Sequence, residues 1–274
     1  MYSPPPDPDT ERAMLGALDT AAAALDATLT GPLVWGWHGR TLASRATHPQ
    51  HGACWLRLLA APAAKVGGKL WEGTAAAAVF DGRVHKPALH TVHDHIENGT
   101  AYRAELTEFI DAPACSPGPV IRTPLDLPDV WWKDLRADLE TIASVTTDRI
   151  AVRQQWIDRA VPQFTGRPAP RITTWATAHG DLHLANITTT GVLLDWEGWG
   201  LAPAGYDVAL LLAYSLLEPA TTTRIRAEFG DILDSGPGRA AQLVVAAELL
   251  QSADRGDHPD LAGPLRTLVD EITA

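Results

Sequence analysis

The stretch His179–Gly200, HGDLHLANITTTGVLLDWEGWG, gathers two histidines, two aspartates, an asparagine and a glutamate among glycines and apolar residues. Soluble chains ordinarily spread such groups over a surface. Three explanations compete for the cluster: a metal site, a phosphate-handling site, or a polar loop. The spacing within it is informative. Asn186 lies five positions after Asp181, and NITTTGVLLDW reads as two short strands turning at Gly191. Such a hairpin returns Asp195 to the side of Asn186, so an amide and two carboxylates separated in sequence converge.

The rest of the chain narrows the choice. Its 274 residues suffice for a substantial core, in one large domain or two small ones. With 46% hydrophobic and 20% charged residues it has the composition of a globular protein. Twenty-two basic against 33 acidic residues leave a formal net charge of −11. That charge repels nucleic-acid backbones and anionic membranes and tolerates cationic ligands, so neither nucleic acid nor membrane is expected as a partner. Cys54 and Cys115 are too few for a disulfide framework. MYSPPPDPDTER has neither the basic nor the apolar region of a secretory signal. The longest apolar run, Val208–Leu217, is too short to span a bilayer. These features imply a reduced, cytoplasmic protein; the sequence leaves the oligomeric state open.

Residues 1–8 read as a loose tail, and the Ala- and Leu-rich segment from Asp9 to Gly31 as one helix. PLVWGWHGRTLASRAT reads as two strands joined at Gly36 and Gly39, GACWLRLLA as a further strand, and GGKLWEGTAAAAVF as a helix. Asn98-Gly99 between two alternating runs predicts a hairpin. After Ile110, DAPACSPGPV forms a link, and the remainder is mostly helical: LPDVWWKDLRADLETIASV, RIAVRQQWIDRAV, AGYDVALLLAYSLLEP, TTRIRAEFGDIL and RAAQLVVAAELLQSA. A strand-rich half followed by a helix-rich half predicts two lobes, residues 1–110 and 111–274, with a hinge near Glu108–Gly118.

Phosphoryl transfer needs a group that orients the acceptor hydroxyl and oxygen ligands for Mg²⁺. The kinase signature places a histidine before the catalytic aspartate, an asparagine after it and a metal-binding aspartate downstream. HGDLHLAN followed by LLDWEGWGLAPAGYDVA closely resembles the aminoglycoside phosphotransferases and their choline-kinase-like relatives. The resemblance is strong over Thr177–Leu217 and extends more weakly to LTEFIDA, which looks like that family's hinge strand. It implies an α/β (α+β) protein-kinase-like two-lobe fold, with a small N-terminal antiparallel sheet lobe that binds nucleotide. A larger helical C-terminal lobe would carry the catalytic loop and acceptor site. The implied activity is ATP- or GTP-dependent phosphorylation of a small-molecule hydroxyl, with antibiotic resistance among its contexts. By the same likeness Asp181 is the catalytic carboxylate, braced by His179, and Asn186 and Asp195 are the Mg²⁺ ligands. Asp207 anchors the loop from the start of the next helix.

On the nucleotide side, the resemblance gives the place of the usual phosphate-binding lysine to Arg57, with Lys65 and Lys69 as rivals and Glu72 as the partner carboxylate. Arginine carries the charge but grips phosphate with a different shape. Gly36 and Gly39 are a thin phosphate loop, near which Arg40 and Arg45 could assist. The backbone of Glu108 and Ile110 would face the adenine edge. Toward the acceptor, His183, Glu197 and Glu218 are candidates, with Glu248, Asp254 and Asp257 as further acidic groups suited to a polyamine. Trp131, Trp132, Trp196 and Trp199 are either core or a stacking surface.

Rival readings stay open at this stage. His179, Asp181 and His183 could hold zinc in a metal-dependent hydrolase, though this leaves Asn186 and GYD without a purpose. His90, His93 and His95 form a second group, with His93 and His95 on one strand face; an ordinary strand face is favoured over a metal site. A pseudokinase that binds without turnover is the third alternative.

Overall fold

The structure, a computed structural model, describes residues 3–274; of the tail expected over residues 1–8, Met1 and Tyr2 lie outside them. Helix α1 begins at Pro8 and runs to Ala24, capped by Asp7, whose carboxylate accepts from the amides of Asp9 and Thr10. It stops well short of Gly31. Asp26 turns the chain with φ 51°, and Thr28–Leu29 forms strand β1 instead, paired with β3. The Ala/Leu composition favoured helix, but the β-branched threonines found a sheet edge, and tertiary pairing won over local propensity.

The chain separates into two compact units: residues up to Asp81 with Pro87–Asp111, and Gly82–Lys86 with Ala112–Ala274. In the first, β2 (Val34–Trp35), β3 (Thr41–His48), β4 (Gly52–Pro62), β5 (Leu89–Glu97) and β6 (Thr100–Glu108) join β1 in an antiparallel sheet. Its order is β1-β3-β4-β6-β5, with β2 beside β3. Helix α2 (Lys69–Ala76) follows β4. The hairpin expected at Asn98-Gly99 is present, with both residues at positive φ (48° and 78°) as a tight two-residue turn requires. Alternation divides the sheet faces. Leu42, Ala46, Cys54, Leu56, Leu58, Tyr102, Ala104 and Leu106 pack against Met14, Leu18 and Ala21 of α1. The intervening residues, Arg57 and Glu105 among them, therefore point to the opposite face.

The second unit is helical: α3 (Asp129–Ser144), α4 (Gln154–Thr165), α5 (Tyr206–Tyr214), α6 (Pro219–Leu233), α7 (Gly236–Asp254) and α8 (Ala262–Thr273). A two-stranded ribbon, β7 (Trp175–Ala178) with β8 (Gly200–Pro203), interrupts them. Every residue of α5 from Tyr206 to Ala213 is buried, because α4, α7 and α8 supply apolar faces around it, with Ile157, Val161, Val244, Leu250 and Leu265 in one cluster. The four tryptophans at issue, Trp131, Trp132, Trp196 and Trp199, are all buried and serve the core. Among the described residues no helix is long and apolar enough to cross a membrane.

Candidate active site

Ala178 pairs with Gly200 across the β7–β8 ribbon, so residues 179–199 form an excursion whose two ends are pinned together. At its base Gly180 takes φ 85°, and a Cβ there would stand 2.6 Å from the carbonyl oxygen of Gly198. Only glycine permits that approach. The loop is then fixed from outside itself. Asp207, buried in the first turn of α5, accepts from the amide of His179 at 2.7 Å and from that of Gly180 at 2.9 Å. Burial raises the Asp207 pKa, opposed by His179 and by these two hydrogen bonds.

His179 is wholly buried. Its Nε2 donates to the carbonyl of Leu194 at 2.8 Å, and its ring meets Trp196 edge-on at 4.9 Å. Burial lowers its pKa, which keeps the imidazole neutral. With no surface open to a substrate, His179 holds the segment that carries Asp195 through the Leu194 carbonyl, the bracing place the resemblance implies for it. Within the loop, a 3-10 turn over Leu184–Asn186 swings Asn186 back, where its Nδ2 donates to the Asp181 backbone carbonyl at 3.0 Å and to Oδ2 at 3.3 Å. The turn at Gly191 is closed by the Gly191 amide on Thr188, and Leu194 donates to the carbonyl of Asn186 at 2.8 Å. That bond sets Asp195 next to Asn186. Asp195 itself has φ 58° and is exposed, a left-handed conformation that aspartate tolerates better than most residues.

The electrostatics centre on Asp181. Burial first, then the negative charges of Asp195, Glu248 and Glu197, push its carboxyl up to about 8, against the hydrogen bond from Asn186. Its side chain nevertheless keeps 48% exposure, as befits a carboxyl packed from below and open above. His183, 5% exposed, sets its Nε2 3.8 Å from Asp181 Oδ1 and its ring edge-on to Tyr214 at 5.4 Å. Burial takes its pKa down to about 4, so at neutral pH it is an uncharged neighbour of the carboxyl. Tyr206 donates its hydroxyl to Glu248 and fixes that carboxylate. The guanidinium of Arg149 lies 4.6 Å over the Trp199 ring, its Nε donating to the Trp199 carbonyl, and it secures the far end of the loop. Neither Tyr206 nor Arg149 was singled out from sequence: a tyrosine beside GYD's aspartate and an arginine thirty residues before the loop carry no local mark.

A zinc site at His179, Asp181 and His183 is not what the side chains form, since His179 bonds a carbonyl and His183 packs on Tyr214. Among the described residues no three His, Cys, Asp or Glu side chains are grouped to hold a metal ion. His90 stacks on His51, and His93 lies 5.4 Å from His95 along β5. Asn186 and Asp195 instead offer hard oxygen donors, the set that suits Mg²⁺.

The first unit amends several expectations. Arg57 on β4 faces Glu105, its register partner on β6, at 3.4 Å. Glu72, expected to be the partner, is exposed on α2. A strand-to-strand pair on one sheet face needs no helix to reach it. In the glycine turn, the amides of Gly36, Gly39 and Arg40 donate to Thr41, Gly36 and Trp37. Gly39 is buried against Pro4 and Pro5, whose atoms leave no room for a Cβ. The Glu108 amide donates to Ala88 within the sheet, so it is not offered to an adenine; Ile110 lies beyond the strand. Glu218, expected to meet substrate, caps α6 through the amides of Ala220 and Thr221 and is 6% exposed. A carboxylate at a helix N-terminus has its acceptors taken.

The strand-and-helix arrangement, with an Asp-Asn-Asp loop anchored from a buried helix, defines a kinase-like phosphotransferase fold. Residues 75–243 match the family model of the phosphotransferase enzyme family, APH, and the chain belongs to that family. Among curated protein sequences there is no match. Solved structures similar to this chain include aminoglycoside phosphotransferase APH(4)-Ia, with 13% identity over 96% of each chain and a TM-score of 0.60. A thermostable mutant of that enzyme is known in a ternary complex with ADP and hygromycin B. Amicoumacin kinase hAmiN, in complex with AMP-PNP, Ca²⁺ and Ami, has 14% identity over 97% of this chain and 96% of its own, with a TM-score of 0.56. Macrolide 2′-phosphotransferase MphH from Brachybacterium faecium has 16% identity over 93% and 97%, with a TM-score of 0.51.

Proposed function

We propose that this phosphotransferase moves the γ-phosphoryl group of ATP or GTP to a hydroxyl of a small molecule, cationic or sugar-like, in a Mg²⁺-dependent reaction. The observation that carries the reading is the convergence of Asp181, Asn186 and Asp195 in a loop whose amides are held by Asp207. The nucleotides bound in complexes of structural relatives, ADP and AMP-PNP, favour ATP over GTP. The named compounds, hygromycin B and amicoumacin, favour an antibiotic or similar acceptor and hence a role in resistance.

In this reading Asn186 and Asp195 hold the metal. When bound, Mg²⁺ supplies neutralisation of the phosphate oxygens. Asp181 accepts a hydrogen bond from the acceptor hydroxyl, aligns its oxygen for attack and takes its proton late in a loose transition state. Asn186 steadies Asp181 through Oδ2, and neutral His183 limits how far its other oxygen can turn. Arg57 on the first unit grips the phosphates that are not transferred. Glu197 and Glu248 give the acceptor side a negative field suited to an amine.

The test is Asp181→Asn. It should leave nucleotide binding intact while lowering turnover by about 10²–10⁴-fold; full turnover in that variant would remove Asp181 from its role. In parallel, Mg²⁺ with ATP at a hundredfold over Kd should stabilise the wild type by about 2.7 kcal/mol. At roughly 2–4 °C per kcal/mol the shift is readily measured, and Asp195→Ala should abolish it.

A further inference from the structure

Five residues from the first half of the chain, Gly82–Lys86, group with the helical unit. Among them His85 makes three directed bonds. Its carbonyl accepts from the amide of Leu193 at 2.8 Å. Its ring Nδ1 lies 2.8 Å from Asp138 Oδ2, and its own amide donates to the same oxygen at 3.3 Å. A carboxylate acceptor makes the ring nitrogen the donor. Asp138 is 4% exposed, in the middle of α3, and a buried carboxylate without a partner is costly. His85 is that partner, although its own side chain is 60% exposed.

Leu193 and Leu194 are the two residues before Asp195. The first is held by His85, the second by the carbonyl of Asn186 at 2.8 Å. The strand leading to Asp195 thus lies between two fixed neighbours. Asn186 is one, and His85, clamped to α3, is the other. Helix α3 reaches the same turn a second time, where the Trp131 indole donates to the Thr188 carbonyl at 3.0 Å. We infer that the Asp138–His85 pair is a positioning device for the metal-binding carboxylate: it fixes the Leu193–Asp195 strand from α3 so that Asp195 stands where it can share a cation with Asn186. This inference rests on the reading of Asp195 as a metal ligand. Neither His85 nor Asp138 touches the reacting atoms. Groups that orient a ligand from outside characteristically change metal affinity 10–100-fold when removed.

Two readouts separate the inference from the reading beneath it. The first uses no metal: hydrogen exchange at the Leu193 and Leu194 amides in the full chain. The second is the affinity for Mn²⁺ in the presence of ADP, followed by the loss of the free Mn²⁺ resonance signal. Asp138→Ala should speed exchange at Leu193 and weaken Mn²⁺ at least about tenfold. His85→Ala, whose exposed ring can be removed without opening the core, should move both in the same direction by less. Asp138→Asn, which keeps an oxygen for the His85 amide, should recover most of the loss. Unchanged Mn²⁺ affinity in Asp138→Ala and His85→Ala, while Asp195→Ala loses it, would overturn the positioning role and leave Asp195 as a ligand. Unchanged Mn²⁺ affinity in Asp195→Ala itself would overturn the ligand reading, and the inference with it, even if the Leu193 amide were exposed by Asp138→Ala.

Discussion

In the turn from Gly36 to Thr41, the amides of Gly36, Gly39 and Arg40 close on carbonyls of the same turn, whereas after β7 the amides of His179 and Gly180 close on the side chain of Asp207. The first arrangement spends these three amides on the turn itself. The second depends on a residue nearly thirty positions away, and it holds Asp181, Asn186 and Asp195 close to one another. The two units therefore handle charge differently. The sheet sets a cation, Arg57, against the buried Glu105. The helical unit concentrates carboxylates and relies on backbone to keep them in place.

The sharpest way to break this contrast is Asp207→Ala. The buried amide of His179 and the half-buried amide of Gly180 lose their acceptor, at about 1–3 kcal/mol for the buried one, so the melting temperature should fall by several degrees and turnover by two orders of magnitude or more. Equal turnover at a temperature where both proteins are folded would show that the loop needs no anchor. A smaller effect is expected on the other side. Glu105→Gln should raise the KM for nucleotide severalfold by loosening Arg57, while Glu72→Gln should leave it unchanged; the reverse result would return the pairing to α2.

The pH dependence of stability sharpens the comparison further, since it reads the carboxylate crowd directly. The Asp181 carboxyl is raised in the folded state to about 8 from an ordinary 3.8, so between those values the folded protein holds a proton that the unfolded chain has released. Its contribution is full below about pH 4 and is lost as pH rises toward 8. Metal-free wild type should lose melting temperature relative to Asp181→Asn over that window, and parallel curves would contradict the crowding. Smallest of all, Glu218→Ala should cost about 1 kcal/mol as a lost helix cap, visible in denaturant titration, with the acceptor KM unmoved.

What could be read from sequence followed the range of the interactions. The Asn98-Gly99 hairpin and the turn at Gly191 that returns Asp195 beside Asn186 are set by neighbouring residues, and both were legible. The ribbon of β7 and β8 was not, because two four-residue strands lie over twenty residues apart and neither shows a pattern alone. Helix α8 went unread as well. Glu105 escaped for a similar reason: nothing near it in sequence says that β6 lies beside β4, and α2 offered a closer glutamate in Glu72. Glu218 reads in sequence as a group for the acceptor, but Pro219 opens α6 behind it and makes it a cap. The His179–Asp207 arrangement was anticipated only because the segment resembles a family.

The anchoring of the loop on α5 has a consequence for how the protein fails. Tyr206–Ala213 is enclosed on all sides, and its first turn grips the backbone on which Asp181 sits. The loop has no local route to loosen while that helix stays in place. On heating, loss of activity and loss of fold should follow a single curve, without a folded but inactive stage between them. A longer-lived enzyme would then come from tighter packing around α5, the helix on which the loop is anchored.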